Sequence, residues 1–350
     1  MKALVYHGAN NIALEDKEKP KLIESTDAIV HITTTTICGT DLHILKGDVS
    51  SIIDGRTLGH EGIGIVDEVG ANVTSFKKGD KVLISLITSC GRCSYCKRGM
   101  YSHCENGGWQ LGNSIDGTQA EYVRIPFADN GLYLLPDDVD EEAMVMLSCI
   151  LPTGLECGAM KAQIKLGDTV AIVGAGPVGL AALLTVKLFS PAEIIMIDID
   201  ANRLKEAQSF GASHIINNSD GKVIEKVMSL THGIGVDVSI EAVGVAATFN
   251  ICQSIIAPGG RIANIGVHGK PVELYLEKLW SSNITLTTQL VDAGSTSMLL
   301  KMVLSGSLDA KKLVSHRFQL SEIIKAYSTF KNAADACALK VAIKNMFPEN

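Results

Sequence analysis

The chain has 350 residues, of which 46% are hydrophobic and 20% charged, with 33 glycines and a formal net charge of −7. These are the proportions of a globular chain long enough for two domains, not of a disordered or fibrous one. Lys and Arg are spread along the sequence rather than gathered in one run, which argues against a nucleic-acid partner, and no stretch of about eighteen apolar residues is present to span a membrane.

Met1-Lys2-Ala3-Leu4-Val5-Tyr6 reads as a first strand. Asn10, Glu15, Asp16 and Glu18 follow too soon for the apolar core of a signal peptide. The cytoplasm is therefore the expected compartment. Further strands are expected over 28–37, 62–69, 81–86 and 120–125, where Val, Ile and Thr dominate and Gly or charged residues bound the runs. This half reads as mostly β with irregular loops.

The pattern changes near Pro152. A strand at 169–173 leads to a helix over 178–189, a strand at 193–199 and a helix over 201–210. A short strand opens at Ile215 and Ile216, followed by a helix over 222–229. A strand at 236–242, a helix over 246–256 and strands at 260–266 and 284–290 complete the series. Strands alternating with helices at this spacing predict a largely parallel, doubly wound α/β sheet of Rossmann type, covered on both faces. Helices follow at 297–305, where Gly306 fits a stop, and at 320–332. A last strand is expected at 338–343. The expected domains are 1–151, 152–290 and a return to the first over 291–350.

The strand at 169–173 runs into Gly174-Ala175-Gly176-Pro177-Val178-Gly179. The first glycine allows a tight turn, the second lets the backbone approach a pyrophosphate, and the third allows close helix–strand packing. The helix beginning at Pro177 and Val178 offers unpaired N–H groups to the phosphates. Asp198, nineteen residues after Gly179, ends the next strand. A carboxylate there accepts hydrogen bonds from the ribose hydroxyls of NAD and repels the 2′-phosphate of NADP. Arg203, five residues on, is a candidate to reach such a phosphate.

Four of the nine cysteines, Cys90, Cys93, Cys96 and Cys104, fall within fifteen residues. Four thiolates at this spacing can close a tetrahedral shell around one zinc, as in structural sites; an iron–sulfur cluster takes the same ligands. A second, dispersed set comprises Cys38, His60, Glu61 and Cys149. Two thiolates and an imidazole would leave zinc an open fourth position.

Together, Cys38-Gly39-Thr40-Asp41-Leu42-His43, Gly59-His60-Glu61-Gly62, the four-cysteine array (lobe 88–106) and the glycine fingerprint resemble the zinc-dependent medium-chain alcohol dehydrogenases over nearly the whole chain. The resemblance implies an N-terminal catalytic domain with a chaperonin-10-like barrel and two zinc ions per subunit. Cys38, His60 and Cys149 would hold the catalytic zinc, with Glu61 beside it and Asp41 orienting His60. Thr40 and His43 would relay a proton, Trp109 would line the substrate pocket and Thr153 would contact the nicotinamide. The implied reaction interconverts a primary or secondary alcohol with an aldehyde or ketone, in a homodimer or homotetramer. Polyol, 2,3-butanediol and L-threonine dehydrogenases share the scaffold and are the alternative.

Overall fold

The computed structural model describes residues 1–345, so the last five residues of the expected 291–350 segment lie outside the described residues. In chain order the strands are β1 (Lys2–Tyr6), β2 (Ile12–Asp16), β3 (Ala28–Ile37), β4 (Arg56–Thr57), β5 (Gly62–Val69), β6 (Lys81–Ile84), β7 (Tyr122–Ile125), β8 (Leu132–Leu134), β9 (Thr169–Val173), β10 (Glu193–Asp198), β11 (His214–Asn217), β12 (Val236–Glu241), β13 (Ile256–Asn264), β14 (Thr285–Thr288), β15 (Val314–Gln319) and β16 (Lys340–Lys344). The principal helices are α1 (Gly39–Lys46), α2 (Pro177–Val186), α3 (Ala201–Ser209), α4 (Val223–Leu230), α5 (Ala246–Ile255), α6 (Thr296–Leu304) and α7 (Ile323–Lys331). The chain forms two compact units, Met1–Cys149 with the segment from Asp292 onward, and Ile150–Val291.

The first unit is built on a mixed sheet of order β15-β16-β3-β5-β6-β8, with β7 also paired to β3, and a small sheet of order β2-β1-β4. β3 is almost wholly buried, which is why it reads as a near-continuous run of Ile, Val and Thr rather than an alternation. β16 lies antiparallel to β3, from Val341 opposite Ile37 to Lys344 opposite Thr34. One core therefore joins distant parts of the sequence: Leu4, Ile37, Ile44 and Leu58 pack with Ile323, Phe330, Val341 and Ile343. Each such side chain contributes about 1.5–3 kcal/mol when fully buried, so the C-terminal segment is held to the N-terminal half by its own apolar face.

The end of β3 turns into α1 at Cys38, whose extended backbone leaves its N–H free to bond Asp41 Oδ2 at 2.9 Å. Gly47, at φ +82°, closes the helix by donating to the Ile44 carbonyl at 2.9 Å, a conformation glycine adopts without steric cost. Nothing in the local sequence pattern predicts this helix. The strand expected over 120–125 begins only at Tyr122. Ahead of it the chain is shared with β1: Gln119 bonds Leu4 and Leu58, and Glu121 donates to the Lys2 carbonyl while its own carbonyl accepts from Ile32 of β3.

The second unit carries a six-stranded sheet of order β11-β10-β9-β12-β13-β14, in which every pairing is parallel. That is the doubly wound order 3-2-1-4-5-6, with a switch of direction beside β9 where a ligand crevice opens. The helix expected over 178–189 ends as α2 at Val186 and tightens into a 3₁₀ turn over Lys187–Phe189. Thr153 opens a π-helix, Thr153–Met160, that the sequence did not signal. Among the described residues, no single helix is long and apolar enough to cross a membrane.

Candidate metal and dinucleotide sites

In the first unit, the turn after β3 supplies Cys38, the segment before β5 supplies His60 and Glu61, and the last residue before the second unit is Cys149. Their ligand atoms, two sulfurs, an imidazole nitrogen and a carboxylate oxygen, all lie within 4.8 Å of one another. All four are buried. The cluster is rich in negative charge and its ionisation shows it. The hydrogen bond from Cys149 holds the Cys38 thiol well below its ordinary range, against its burial and with help from His60 and Lys340. The Cys149 thiol goes well above, pushed by Cys38 and by burial. Burial alone would lower His60, yet the Cys38, Asp41 and Glu61 charges outweigh it and push it up to about 9. A pocket that protonates its imidazole to offset thiolate and carboxylate is one that a divalent cation fits.

Glu61 is gripped from one side. Its Oε2 accepts from Thr36 Oγ1 and from the ammonium of Lys340 on β16, while Oε1 has no hydrogen-bond partner among the described residues. Lys340 also donates to the Ile37 carbonyl at 3.0 Å. An unpartnered carboxylate oxygen beside two sulfurs and an imidazole is a further sign that the donor set fits a metal. Lys340 is not among the site residues expected from sequence, although a lysine inside the apolar run Ala338-Leu339-Lys340-Val341-Ala342-Ile343 is the kind of residue that is buried only when paired.

The other expected residues of this site gather around it unevenly. Thr40 Oγ1 lies 3.8 Å from Cys38 Sγ. Thr40 and His43 stand three residues apart on α1 and so share a face; the His43 ring bonds Asp48 at 2.9 Å. Trp109 meets His60 edge-on, with ring centroids 6.1 Å apart, and its indole N–H has no partner among the described residues. Asp41 is nearest His60 at 3.8 Å, from Oδ1 to Nδ1, which is beyond hydrogen-bond range. Its other oxygen is already taken, by the Cys38 N–H at 2.9 Å and the Gln119 amide at 3.1 Å. Burial raises the Asp41 carboxyl to about 6, with His60 lowering it and Cys38 and Glu61 adding to the rise.

Cys90, Cys93, Cys96 and Cys104 converge in the same way, their sulfurs all within 4.8 Å. The loop supplies the donors that stabilise a thiolate: the Cys96 N–H points to Cys93 Sγ at 3.5 Å, the Cys90 N–H to Cys104 Sγ at 3.2 Å, and Asn106 Nδ2 to Cys90 Sγ at 3.5 Å. Burial opposes charge at Cys90, but the N–H groups of Arg92 and Cys93 and the Asn106 amide bring it down to about 6. At Cys96, burial and the neighbouring thiols push it up to about 12. Four sulfurs converging in this way suit one tetrahedral zinc with no open position.

In the second unit, Gly174, Gly176, Asp198 and Arg203 line a cavity of about 450 Å³, with Val243 and Thr248 on its far wall; Thr153 lies outside it. Gly174 has φ +107°, and a Cβ there would come within 2.5 Å of Val243. A Cβ on Gly179 would fall 1.8 Å from the Gly174 carbonyl. At Gly176 the nearest obstacle is Arg203 Nη1, at 3.8 Å, so the loop leaves room where a pyrophosphate would approach. Pro177 and Val178 open α2 just behind. Asp198 Oδ2 accepts from the Ala175 N–H at 2.6 Å, and Oδ1 from Ile199 and Asp200 at 2.7 and 2.8 Å. Oδ2 is thus the freer oxygen for a ribose hydroxyl. The Arg203 Nε is buried without a partner among the described residues.

Two family models match the chain: "Alcohol dehydrogenase GroES-like domain" over residues 24–137 and "Zinc-binding dehydrogenase" over residues 177–305. An alcohol dehydrogenase of Cupriavidus necator is 37% identical, with 98% of each chain covered. An NADP-dependent isopropanol dehydrogenase of Thermoanaerobacter brockii is 34% identical, over 95% of this chain and 96% of its own. Among solved structures, the apo form of zinc dependent alcohol dehydrogenase 2 from Streptococcus pneumonia is 55% identical, covers 100% of both chains and superposes with a TM-score of 0.96.

Proposed function

This chain belongs to the zinc-dependent medium-chain alcohol dehydrogenase family, and from that premise we propose how its residues divide the work. The protein is a zinc- and NAD-dependent enzyme that interconverts alcohols with aldehydes or ketones by hydride transfer. Cys38, His60 and Cys149 hold the catalytic zinc, with Glu61 beside it, and Cys90, Cys93, Cys96 and Cys104 hold the second. When bound, the catalytic zinc supplies a Lewis acid that makes an alcohol hydroxyl easier to ionise, and NAD accepts the hydride.

The chain's own residues do the rest. The Thr40 hydroxyl accepts the substrate's proton and passes it outward toward His43, whose ring Asp48 orients. Trp109 walls the substrate side of His60, and Thr153 meets the nicotinamide carboxamide. Gly174, Gly176 and Gly179 admit the pyrophosphate, Pro177 and Val178 present the N-terminus of α2 to it, and Asp198 takes a ribose hydroxyl. The Asp198 carboxylate favours NAD over NADP. Arg203 beside it tempers that preference, in keeping with a relative that uses NADP.

The observation that carries this reading is the convergence of two sulfurs, one imidazole and one carboxylate within 4.8 Å. Glu61 in that set also supports a second reading, a polyol, 2,3-butanediol or L-threonine dehydrogenase, in which a carboxylate shares the metal. A screen of simple primary and secondary alcohols, sorbitol, 2,3-butanediol and L-threonine with NAD and NADP, on protein of measured zinc content, separates the two. Simple alcohols as preferred substrates support the first; a strong preference for a diol, polyol or threonine overturns it.

We also infer a homodimer or homotetramer. Among the described residues β14 ends its sheet with an unpaired edge, and Trp280 and Leu276 nearby are 78% and 60% exposed. Open edges and apolar patches of this kind are covered in stable proteins, and a second copy of the chain fits both. Light scattering on the purified protein tests it; a monomer at micromolar concentration overturns it.

A further inference from the structure

One buried side chain that the reaction above leaves idle ties the metal-site helix to the C-terminal segment. Gln119 is fully buried. Its Nε2 donates to Asp41 Oδ2 at 3.1 Å and to the Thr36 carbonyl at 3.1 Å, and its Oε1 accepts the Tyr327 hydroxyl at 2.7 Å. Tyr327 lies on α7 and is 3% exposed. Turned over, the amide would set its oxygen against a carboxylate and a carbonyl, so only this orientation satisfies all three partners. Tyr327 keeps the proton it donates: burial and the Asp41 charge hold its hydroxyl well above the ordinary range, against the pull of Gln119. Gln119 also packs under the backbone before His60, where a Cβ on Gly59 would meet its Cγ at 2.6 Å.

Both bonds to Asp41 fall on Oδ2. The other oxygen, Oδ1, has no hydrogen-bond partner among the described residues and lies 3.8 Å from His60 Nδ1. A ligating histidine is fixed by what its second nitrogen meets, and loss of that partner weakens the metal. We propose that Gln119 and Tyr327 are positioning residues for His60: by pinning Asp41 Oδ2 they keep Oδ1 turned to the imidazole, and so set how firmly the catalytic metal is held. This rests on the reading of His60 as a catalytic-zinc ligand. It makes α7, more than two hundred residues from His60 in sequence, part of the support of the metal site.

The test uses cobalt(II) in place of zinc, with two readouts: the visible absorption of the catalytic-site ion and its rate of loss to a chelator. Tyr327→Phe removes one oxygen and keeps the ring. The expected result is loss of the catalytic-site ion at least about threefold faster than in the wild type, with shifted d–d bands and unchanged release from the four-cysteine lobe. Asp41→Asn alone releases the ion about 10–100-fold faster, and adding Tyr327→Phe to it makes no further difference, because both act through one carboxylate. A wild-type cobalt spectrum and release rate in Tyr327→Phe, even with a lower melting temperature, would reduce Tyr327 to packing and overturn the proposal. So would effects that multiply in the double variant. If Tyr327→Phe does not fold, Gln119→Met is read by the same two measures with the same outcomes. Wild-type protein that binds no cobalt at His60 would instead overturn the zinc-ligand reading itself.

Discussion

Lys340 and Glu61 form an ion pair from which water is excluded: each side chain is 1% exposed, and the two are 279 residues apart in the chain. Breaking a buried pair by removing one partner costs about 3–5 kcal/mol, because the other charge is left uncompensated. Lys340→Met should therefore destabilise chelator-treated protein by about that much. Zinc-loaded protein should lose less, because the metal takes over the role of counter-charge to Glu61. Urea unfolding of both forms measures the difference; equal losses would mean that Glu61 does not feel the metal.

The four-cysteine lobe offers no place for substrate, so its metal should matter to folding and not to chemistry. Cys93→Ser is expected to lower the zinc content from two ions per chain to one and to reduce thermal stability. Activity per mole of surviving folded protein should stay near that of the wild type. Unchanged zinc content and melting temperature would show that the lobe holds no ion.

Asp198 has two tasks, and its removal should reveal both. Its carboxylate fixes the turn through Ala175, Ile199 and Asp200 and leaves Oδ2 for a ribose. In Asp198→Ala, binding of NAD should weaken by about 1.5–3 kcal/mol, the value of a hydrogen bond to a charged group. NADP should weaken less, because the variant no longer repels its 2′-phosphate and Arg203 remains to receive it. The ratio of KM for NAD to KM for NADP checks this; an unchanged ratio would remove Asp198 from cofactor choice.

Metal uptake should depend steeply on pH. Burial lowers the His60 imidazole, but Cys38, Asp41 and Glu61 raise it by more, to about 9. Zinc takes only the neutral ring, so below that value it must displace a proton. Affinity at the catalytic site is expected to rise with pH from 6 to 9, by about tenfold per unit from His60 alone, with the Cys149 thiol, held well above its ordinary range, adding to the rise. Chelator competition at fixed free zinc across that range reads the slope, and a flat profile would contradict it.

Much of this architecture is written locally. The fingerprint from Gly174 to Gly179 and the array from Cys90 to Cys104 are contiguous, so spacing alone brings their atoms together. The alternation of apolar strands and helices after Pro152 likewise announces a parallel sheet. What escaped is what tertiary structure assembles. Gln119 sits just ahead of the strand expected over 120–125, and nothing nearby in sequence indicates that it turns inward to meet Asp41 and Tyr327. Asp41 is legible as an acid that orients His60; what is not legible is that the Cys38 N–H and the Gln119 amide both hold its Oδ2 while Oδ1 stands 3.8 Å from the imidazole. Helix α1 was missed because its eight residues are too few to show a periodic apolar face. The π-helix beginning at Thr153 has no compositional mark at all.

The most direct test of the account is zinc analysis of purified wild type and His60→Ala, paired with NAD-dependent alcohol oxidation and NAD binding on the same samples. Two zinc ions are expected per wild-type chain. The variant should keep one, bind NAD as before and oxidise no alcohol. A variant that keeps both ions, or that oxidises alcohol at the wild-type rate, would contradict the assignment of His60 as the ligand on which the chemistry depends.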